Sequence, residues 1–294
     1  MRAPILVASD GSRGSEGALR IGLALAREDG RAVEVVAALQ PFPRYPVGGL
    51  APVPEGYAVY ETAQAESLRL AVSEQLRSLG GEAAVWPVTV EAGNPAAVIA
   101  RRATEGRAEI IAVGAGQRPP LDRWLGNETA LKVIRLATVP VLVAPHTASD
   151  LPRRALVAID FSDHSLRAAR AVADMLGERP RLFLVHVMWP AVELAPFPSL
   201  EDWRRSYRRA AEARLEEIAA QLRQARQLDV ECVVAEGDPT RELLGLAGRL
   251  NVDLIAAGSH GHEFQGRLLL GDVATRLIRG ALCAVLIAPP LRLP

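Results

Sequence analysis

The run Gly258-Ser259-His260-Gly261, followed after nine residues by Gly271-Asp272, is the part of the chain best suited to chemistry. It follows a short apolar run that reads as a strand. It leads into Val273, Ala274, Leu277 and Ile278, whose spacing reads as a helix. Glycines let a backbone approach a ligand and turn its N–H groups inward; a helix start adds uncapped N–H groups and the positive end of its dipole. Together they predict a cradle for an anion, most naturally a phosphate, with Ser259, His260, Arg267 and Val273 in or beside it. Asp272 works against that cradle, because as an N-cap its carboxylate would accept the helix N–H groups a phosphate needs. A carboxylate about 4 Å from a phosphate charge costs roughly 1 kcal/mol in water and about 4 at an effective dielectric near 20. Arg267 would offset part of this. The expectation is a cradle biased toward a less charged anion, a diphosphate over a triphosphate, or left empty.

Other chemistry is poorly supported. Ala257-Gly258-Ser259-His260-Gly261 puts Ala257 where a nucleophile elbow needs its first glycine, and His260 is too close in sequence to serve Ser259 as a base. His260 and His262 with Asp160 or His164 leave a third metal ligand unfixed by spacing, so no metal is expected. Gly114-Ala115-Gly116 has Pro119 where a dinucleotide fingerprint needs glycine. Lysine occurs once, at Lys132 between Leu131 and Val133 in a helix-like run, which excludes a Walker-type loop and gives no setting for a Schiff base. No catalytic residue is assigned, and slow hydrolysis of a bound phosphate ester ranks last among the functions considered.

The elements that must position this loop occur twice, with a period near 145 residues. Ile5–Asp10 returns as Ala155–Asp160, Gly93-Asn94-Pro95 as Gly237-Asp238-Pro239, and Glu109–Gly114 as Asp253–Gly258. Val139–Pro145 returns as Cys283–Pro289. From Gly93 to Gly114 and from Gly237 to Gly258 the distance is 21 residues in both copies. Two copies of one domain are predicted, 1–147 and 148–294, joined across His146 to Arg153. In the first, the apolar runs Ile5–Ala8, Val33–Ala38, Val85–Val90, Ile110–Val113 and Val139–Val143 read as strands covered on both faces. Asn94-Pro95 and Asp238-Pro239 each read as a helix N-cap followed by proline at the first helical position. Long helices are expected from about Glu61 to Leu79, closed by Gly80-Gly81, and from about Asp202 to Gln227. The predicted class is α/β: five parallel, doubly wound strands per copy, with ligands beyond the strands' carboxyl ends. Pro41–Pro54 and Pro190–Pro198 read as surface connections that could cover those ends.

Composition narrows the function further. The 294 residues are 49% hydrophobic and 23% charged, with 34 basic side chains against 34 acidic ones, which argues against a protein that coats a polyanion. The Arg204, Arg205, Arg208 and Arg209 cluster is flanked by Glu201, Asp202, Glu212, Glu216 and Glu217, and reads as an ion-paired solvated face rather than a nucleic-acid surface. There is no apolar run long enough to span a membrane and no signal-peptide core. Cys232 and Cys283 show no paired spacing, so a cytoplasmic setting is the expectation.

On these residues the sequence resembles the universal stress protein family in its tandem form, over nearly all of both copies. The family's phosphate signature, Gly-x2-Gly-x9-Gly-[Ser/Thr], matches Gly258, Gly261 and Gly271 and departs at Asp272. The resemblance implies that Asp10 and Asp160 lie near the nucleoside, and that Val187, or Ala38 in the first copy, lays its backbone against adenine. It implies a Rossmann-like domain that pairs through its last strand, so that the two copies would form a pseudo-twofold dimer within one chain; a homodimer is left open. In copy one the signature is eroded. Gly114 remains, Gln117 replaces the second glycine, the spacer is a residue shorter, and Gly126 is followed by Asn127. ATP or another adenine nucleotide is therefore expected in the second domain only, bound for sensing rather than catalysis. The alternative is a nucleotide-free structural or partner-binding protein. Without the resemblance, Asp10 and Asp160 read equally as caps of the first helix, and His186 as a satisfied core histidine.

Overall fold

The computed structural model describes residues 3–40, 57–116, 128–189, 200–260 and 270–289. The chain divides into two compact units, Met1–Asp150 and Leu151–Pro294. The first runs β1 (Ile5–Ala8), α1 (Glu16–Asp29), β2 (Val33–Leu39), α2 (Tyr57–Leu79), β3 (Val88–Ala92), α3 (Pro95–Glu105), β4 (Ile110–Gly114), α4 (Glu128–Leu136) and β5 (Val141–Ala144). The second repeats the plan with β6 (Arg154–Ala158), α5 (Asp163–Met175), β7 (Arg181–Met188), α6 (Leu200–Ala225), β8 (Asp229–Glu236), α7 (Pro239–Leu250), β9 (Leu254–Gly258), α8 (Asp272–Gly280) and β10 (Ala284–Ala288). Within the first unit the strand order is β3-β2-β1-β4-β5, and within the second β10-β9-β6-β7-β8. Each of the neighbouring pairs inside a unit is parallel.

Burial explains why the strand sequences lack alternation. Ile5, Leu6 and Val7 of β1, Ala155, Leu156 and Val157 of β6, and Leu254, Ile255 and Ala256 of β9 are all shielded from solvent, as side chains on both faces of a helix-covered sheet must be. The order reverses between β1 and β4 and between β6 and β9. Helices leave in opposite directions there and open a crevice at the strands' carboxyl ends. Asp10 and Gly114 stand at one such crevice, Asp160 and Gly258 at the other.

The predicted caps form. The Asn94 side chain accepts from the N–H groups of Ala96 (3.1 Å) and Ala97 (3.3 Å), and Asp238 accepts from Arg241 N–H (2.9 Å), with proline at the first helical position in both. Asn94→Ala is expected to cost about 1 kcal/mol of stability in the first domain, read as a lowered urea midpoint. Gly80 and Gly81 both adopt positive φ, +69° and +60°, and end α2 as predicted. Two strand starts move. Residues 81–85 form a turn of 3-10 helix, so β3 starts at Val88 rather than Val85. Pro87 has no N–H for the ladder; only its carbonyl pairs, accepting from Val35 N–H at 3.0 Å. Pro140 likewise offers only a carbonyl, to Ile111 N–H, and β5 starts at Val141 rather than Val139.

Candidate functional site

The turn after β6 is built by its own side chains. The Asp160 carboxylate accepts from both the N–H (3.0 Å) and the hydroxyl of Ser162, and Ser162 Oγ in turn caps α5 by accepting from Ser165 N–H (3.3 Å). In the first copy Asp10 accepts from Ser12 N–H (3.0 Å), and Ser12 Oγ from Gly14 N–H (3.2 Å). Each aspartate therefore holds the turn, and the serine two residues on is the cap. Between them the backbone takes positive φ, at Gly11 (+74°) and at Phe161 (+64°). The Phe161 ring lies 4.7 Å, centroid to centroid, from His186. His186 is 7% exposed and hydrogen-bonded at both nitrogens, Nδ1 to the Ile159 carbonyl (2.7 Å) and Nε2 to the Tyr207 hydroxyl (3.0 Å). A carbonyl only accepts, so Nδ1 carries the proton and, in the neutral ring, Tyr207 donates to Nε2. His186 is thus a buried, hydrogen-bonded histidine of the core that, like its neighbour Val187, borders the crevice.

That crevice is a hollow of about 240 Å³. It brings together Asp160, Val187, Gly258, Ser259, His260, Gly271, Asp272 and Val273, eight of the ten residues the sequence singled out in this copy; Gly261 and Arg267 lie outside the described residues. Sequence reasoning missed its apolar wall, Pro239 and Leu243 of α7, and the buried Ser165. The first copy has a hollow of about 350 Å³ lined by Asp10, Ala38 and Gly114, together with Ser9, Ser12 and Thr129. Gly126 and Asn127 lie outside the described residues, as do Pro41–Pro54 and Pro190–Pro198.

Gly258 has a packing role that the sequence does not predict, and Asp272 is not the cap it is expected to be. A Cβ on Gly258 would stand 2.7 Å from the Cβ of His164 and 3.1 Å from Ser165 N, so this glycine admits the first turn of α5 against the end of β9. Gly114 is tighter still, its virtual Cβ falling 2.1 Å from the Gly14 carbonyl oxygen. Two amides also turn inward to the protein: Ser259 N–H donates to the Ala288 carbonyl and Gly271 N–H to the Ser259 carbonyl, both at 2.8 Å. Ser259, 2% exposed, thus ties the end of β9 to the start of α8. Asp272 is not the N-cap. Gly271 is, with φ −57° and ψ 147° and no side-chain cap, so Asp272 becomes the first helical residue. From there its carboxylate lies 71% exposed and meets Arg276 one turn along, at 3.1 Å to Nε and 2.6 Å to the terminal nitrogen. Arg276 also approaches Asp238, at 3.7 Å. The first-turn N–H groups of Asp272, Val273 and Ala274 have no acceptor within the helix, and these three residues line the hollow. The donors that this wall of the hollow offers are those of the helix start, and the Asp272 carboxylate beside them is paired with Arg276.

The remaining chemistry is quiet. Burial, helped for Cys232 by the neighbouring Glu216 carboxylate, pushes both thiols up to about 11, and neither is in a disulfide. Both stay protonated at neutral pH. A disulfide reagent at pH 7.5 is expected to react with the native protein at least about tenfold more slowly than with the urea-unfolded chain. Lys132 is exposed on α4 and faces Glu128 at 3.9 Å. Arg204 pairs with Glu236, Arg205 with Asp202, and Arg208 donates to the Val234 carbonyl, so the basic run on α6 is largely spoken for. Among the described residues no three His, Cys, Asp or Glu side chains are placed to hold a metal ion, and no helix is long and apolar enough to cross a membrane.

The sequence pattern of the Universal stress protein family matches residues 1–145 and again 152–289. The chain belongs to this family. It is 30% identical over 145 residues to a universal stress protein of Methanocaldococcus jannaschii, covering 47% of this chain and 82% of that one. It is 28% identical over 186 residues to one of Mycobacterium tuberculosis, covering 62% of each. The matched part thus spans somewhat less than two thirds of the mycobacterial relative. Among solved structures, a universal stress protein from Archaeoglobus fulgidus superposes with a TM-score of 0.69 at 20% identity, covering 98% of this chain and 99% of that one. At that identity the likeness speaks for the fold alone.

Proposed function

We propose that this universal stress protein binds an adenine nucleotide in its second domain and acts as a sensor or carrier of that ligand rather than as an enzyme. The observation that carries the reading is the shared hollow in which the uncapped start of α8 faces the same space as Asp160, Val187 and the apolar pair Pro239 and Leu243. Donors suited to a phosphate stand at one side, and a surface suited to a planar base at another. Asp160, already holding Ser162, would accept from a ribose hydroxyl. Gly261 is carried as a further contact on the resemblance and Arg267 on its charge in the same loop. The pairing of the two copies about a pseudo-twofold axis rests on the resemblance, and the cytoplasmic setting on the cysteine spacing. Ser259 Oγ does stand 3.0 Å from His260 Nδ1, contrary to the expectation that His260 is too close in sequence to serve it. Ser259 is buried, and binding without turnover is carried on the resemblance. In the first domain Asp10, Ala38, Gly114, Gly126 and Asn127 would form a weaker or idle site.

A second reading, a nucleotide-free partner-binding protein, is favoured by one finding: helix packing alone explains Gly114 and Gly258. Mass spectrometry of the protein denatured after gentle purification, followed by equilibrium titration with AMP, ADP and ATP, separates the two. Co-purified adenine nucleotide or saturable binding is expected. No binding of any of the three at millimolar concentration would leave the second reading.

A further inference from the structure

Two histidines to which the nucleotide reading gives no chemical role stand at the Gly258 end of the hollow. His260 lines it, on the turn between Ser259 and the loop that returns to Gly271. His164 packs behind Gly258, where a Cβ would strike its own, and the two imidazole centroids are 6.2 Å apart. His164 Nδ1 is buried and has no hydrogen-bond partner. Resting on the nucleotide reading, we infer that His164 and His260 form a proton-linked contact for the ligand's anionic group, so that binding takes up protons and tightens as pH falls.

The surroundings set the sign. Burial, then the facing His260, hold the His164 imidazole below its ordinary range. Asp160 from the turn after β6, Asp163 on the same helix and the Pro289 carbonyl pull the other way. Around His260 stand the Ser259 hydroxyl, 3.0 Å from Nδ1, and Asp272 across the hollow, itself engaged by Arg276. Arg167, the other charged neighbour on α5, directs its guanidinium to the Pro289 carbonyl at 2.9 Å. Without an anion, protonated imidazoles at this separation repel each other in a partly buried setting, which adds to burial in disfavouring the charged form of His164. An anion beside them turns that repulsion into attraction for both, raises both proton affinities and draws protons from solvent. His260 acts at contact distance; His164 acts through space from behind Gly258.

The test is calorimetry of the full chain with adenosine 3′,5′-cyclic monophosphate between pH 6 and 8.5, because a phosphodiester keeps one charge over that range. Expected is a dissociation constant that tightens about tenfold from pH 8.5 to 6, since one linked proton allows up to tenfold per pH unit. The binding heats should also depend on the buffer's ionisation enthalpy, as proton uptake requires. His164→Gln with His260→Gln should flatten the pH profile near the wild-type pH 8.5 affinity. Should the pair fail to fold, His260→Gln alone should lose about half the slope. Binding that is flat with pH in the wild type, or a slope unchanged in the variants, overturns the inference and leaves the nucleotide reading standing. No binding of this probe at any pH overturns the inference, and the nucleotide reading falls with it only if AMP, ADP and ATP also fail to bind.

Discussion

Asp272→Ser is expected to tighten ATP binding by about three- to tenfold, with a smaller gain for AMP. The substitution removes a carboxylate from the first turn of the helix whose N–H groups face the hollow. It also releases Arg276, now held by that carboxylate through two nitrogens, to meet the ligand's charge. Because Asp272 is 71% exposed and paired, the gain is nearer the water figure of about 1 kcal/mol than the buried one. Arg276→Ala should move affinity the opposite way, by leaving Asp272 uncompensated. Equal calorimetric affinities for wild type and Asp272→Ser would contradict this electrostatic account.

Gly258→Ala is expected to lower the melting temperature of the second domain by roughly 3–8 °C, corresponding to about 1–3 kcal/mol from forcing α5 away from β9. Nucleotide binding should weaken with it, because the displaced turn carries Asp160 and Ser162. Gly114→Ala should be the more severe in the first domain. Its added carbon would meet a backbone carbonyl at 2.1 Å, whereas the Gly258 carbon meets first the Cβ of His164 at 2.7 Å. Unchanged melting of both variants would show that these glycines are not there to admit a helix.

Much of the fold was legible in the sequence because it rests on local rules applied twice. Asn94-Pro95 and Asp238-Pro239 announced helix starts through capping chemistry that needs no tertiary context. Continuous apolar runs announced covered strands, with starts displaced where Pro87 and Pro140 removed a ladder donor and most ends running a residue or two further. The site was legible as a set of positions but not as a set of roles. Gly258 reads the same in sequence whether it admits a phosphate or the Cβ of His164, and only the packing of α5 decides. Asp272 was misjudged because a glycine before it can itself be the N-cap; that one-residue shift turned the carboxylate from the helix N–H groups to Arg276. Arg276, Pro239 and Leu243 carry no motif at all. The nearness of His164 to His260, 96 residues apart in the chain, follows from β6 and β9 being neighbours, a pairing no local pattern reveals.

Amide hydrogen exchange of the full chain with and without saturating ADP tests the central claim most directly, because it reports which domain responds. The account predicts slowed exchange at Asp272, Val273 and Ala274 and around Asp160–Ser162, with the equivalent segment Asp10–Ser12 unchanged. Protection confined to the first domain, or no change at the start of α8 under conditions where ADP is bound, would contradict it.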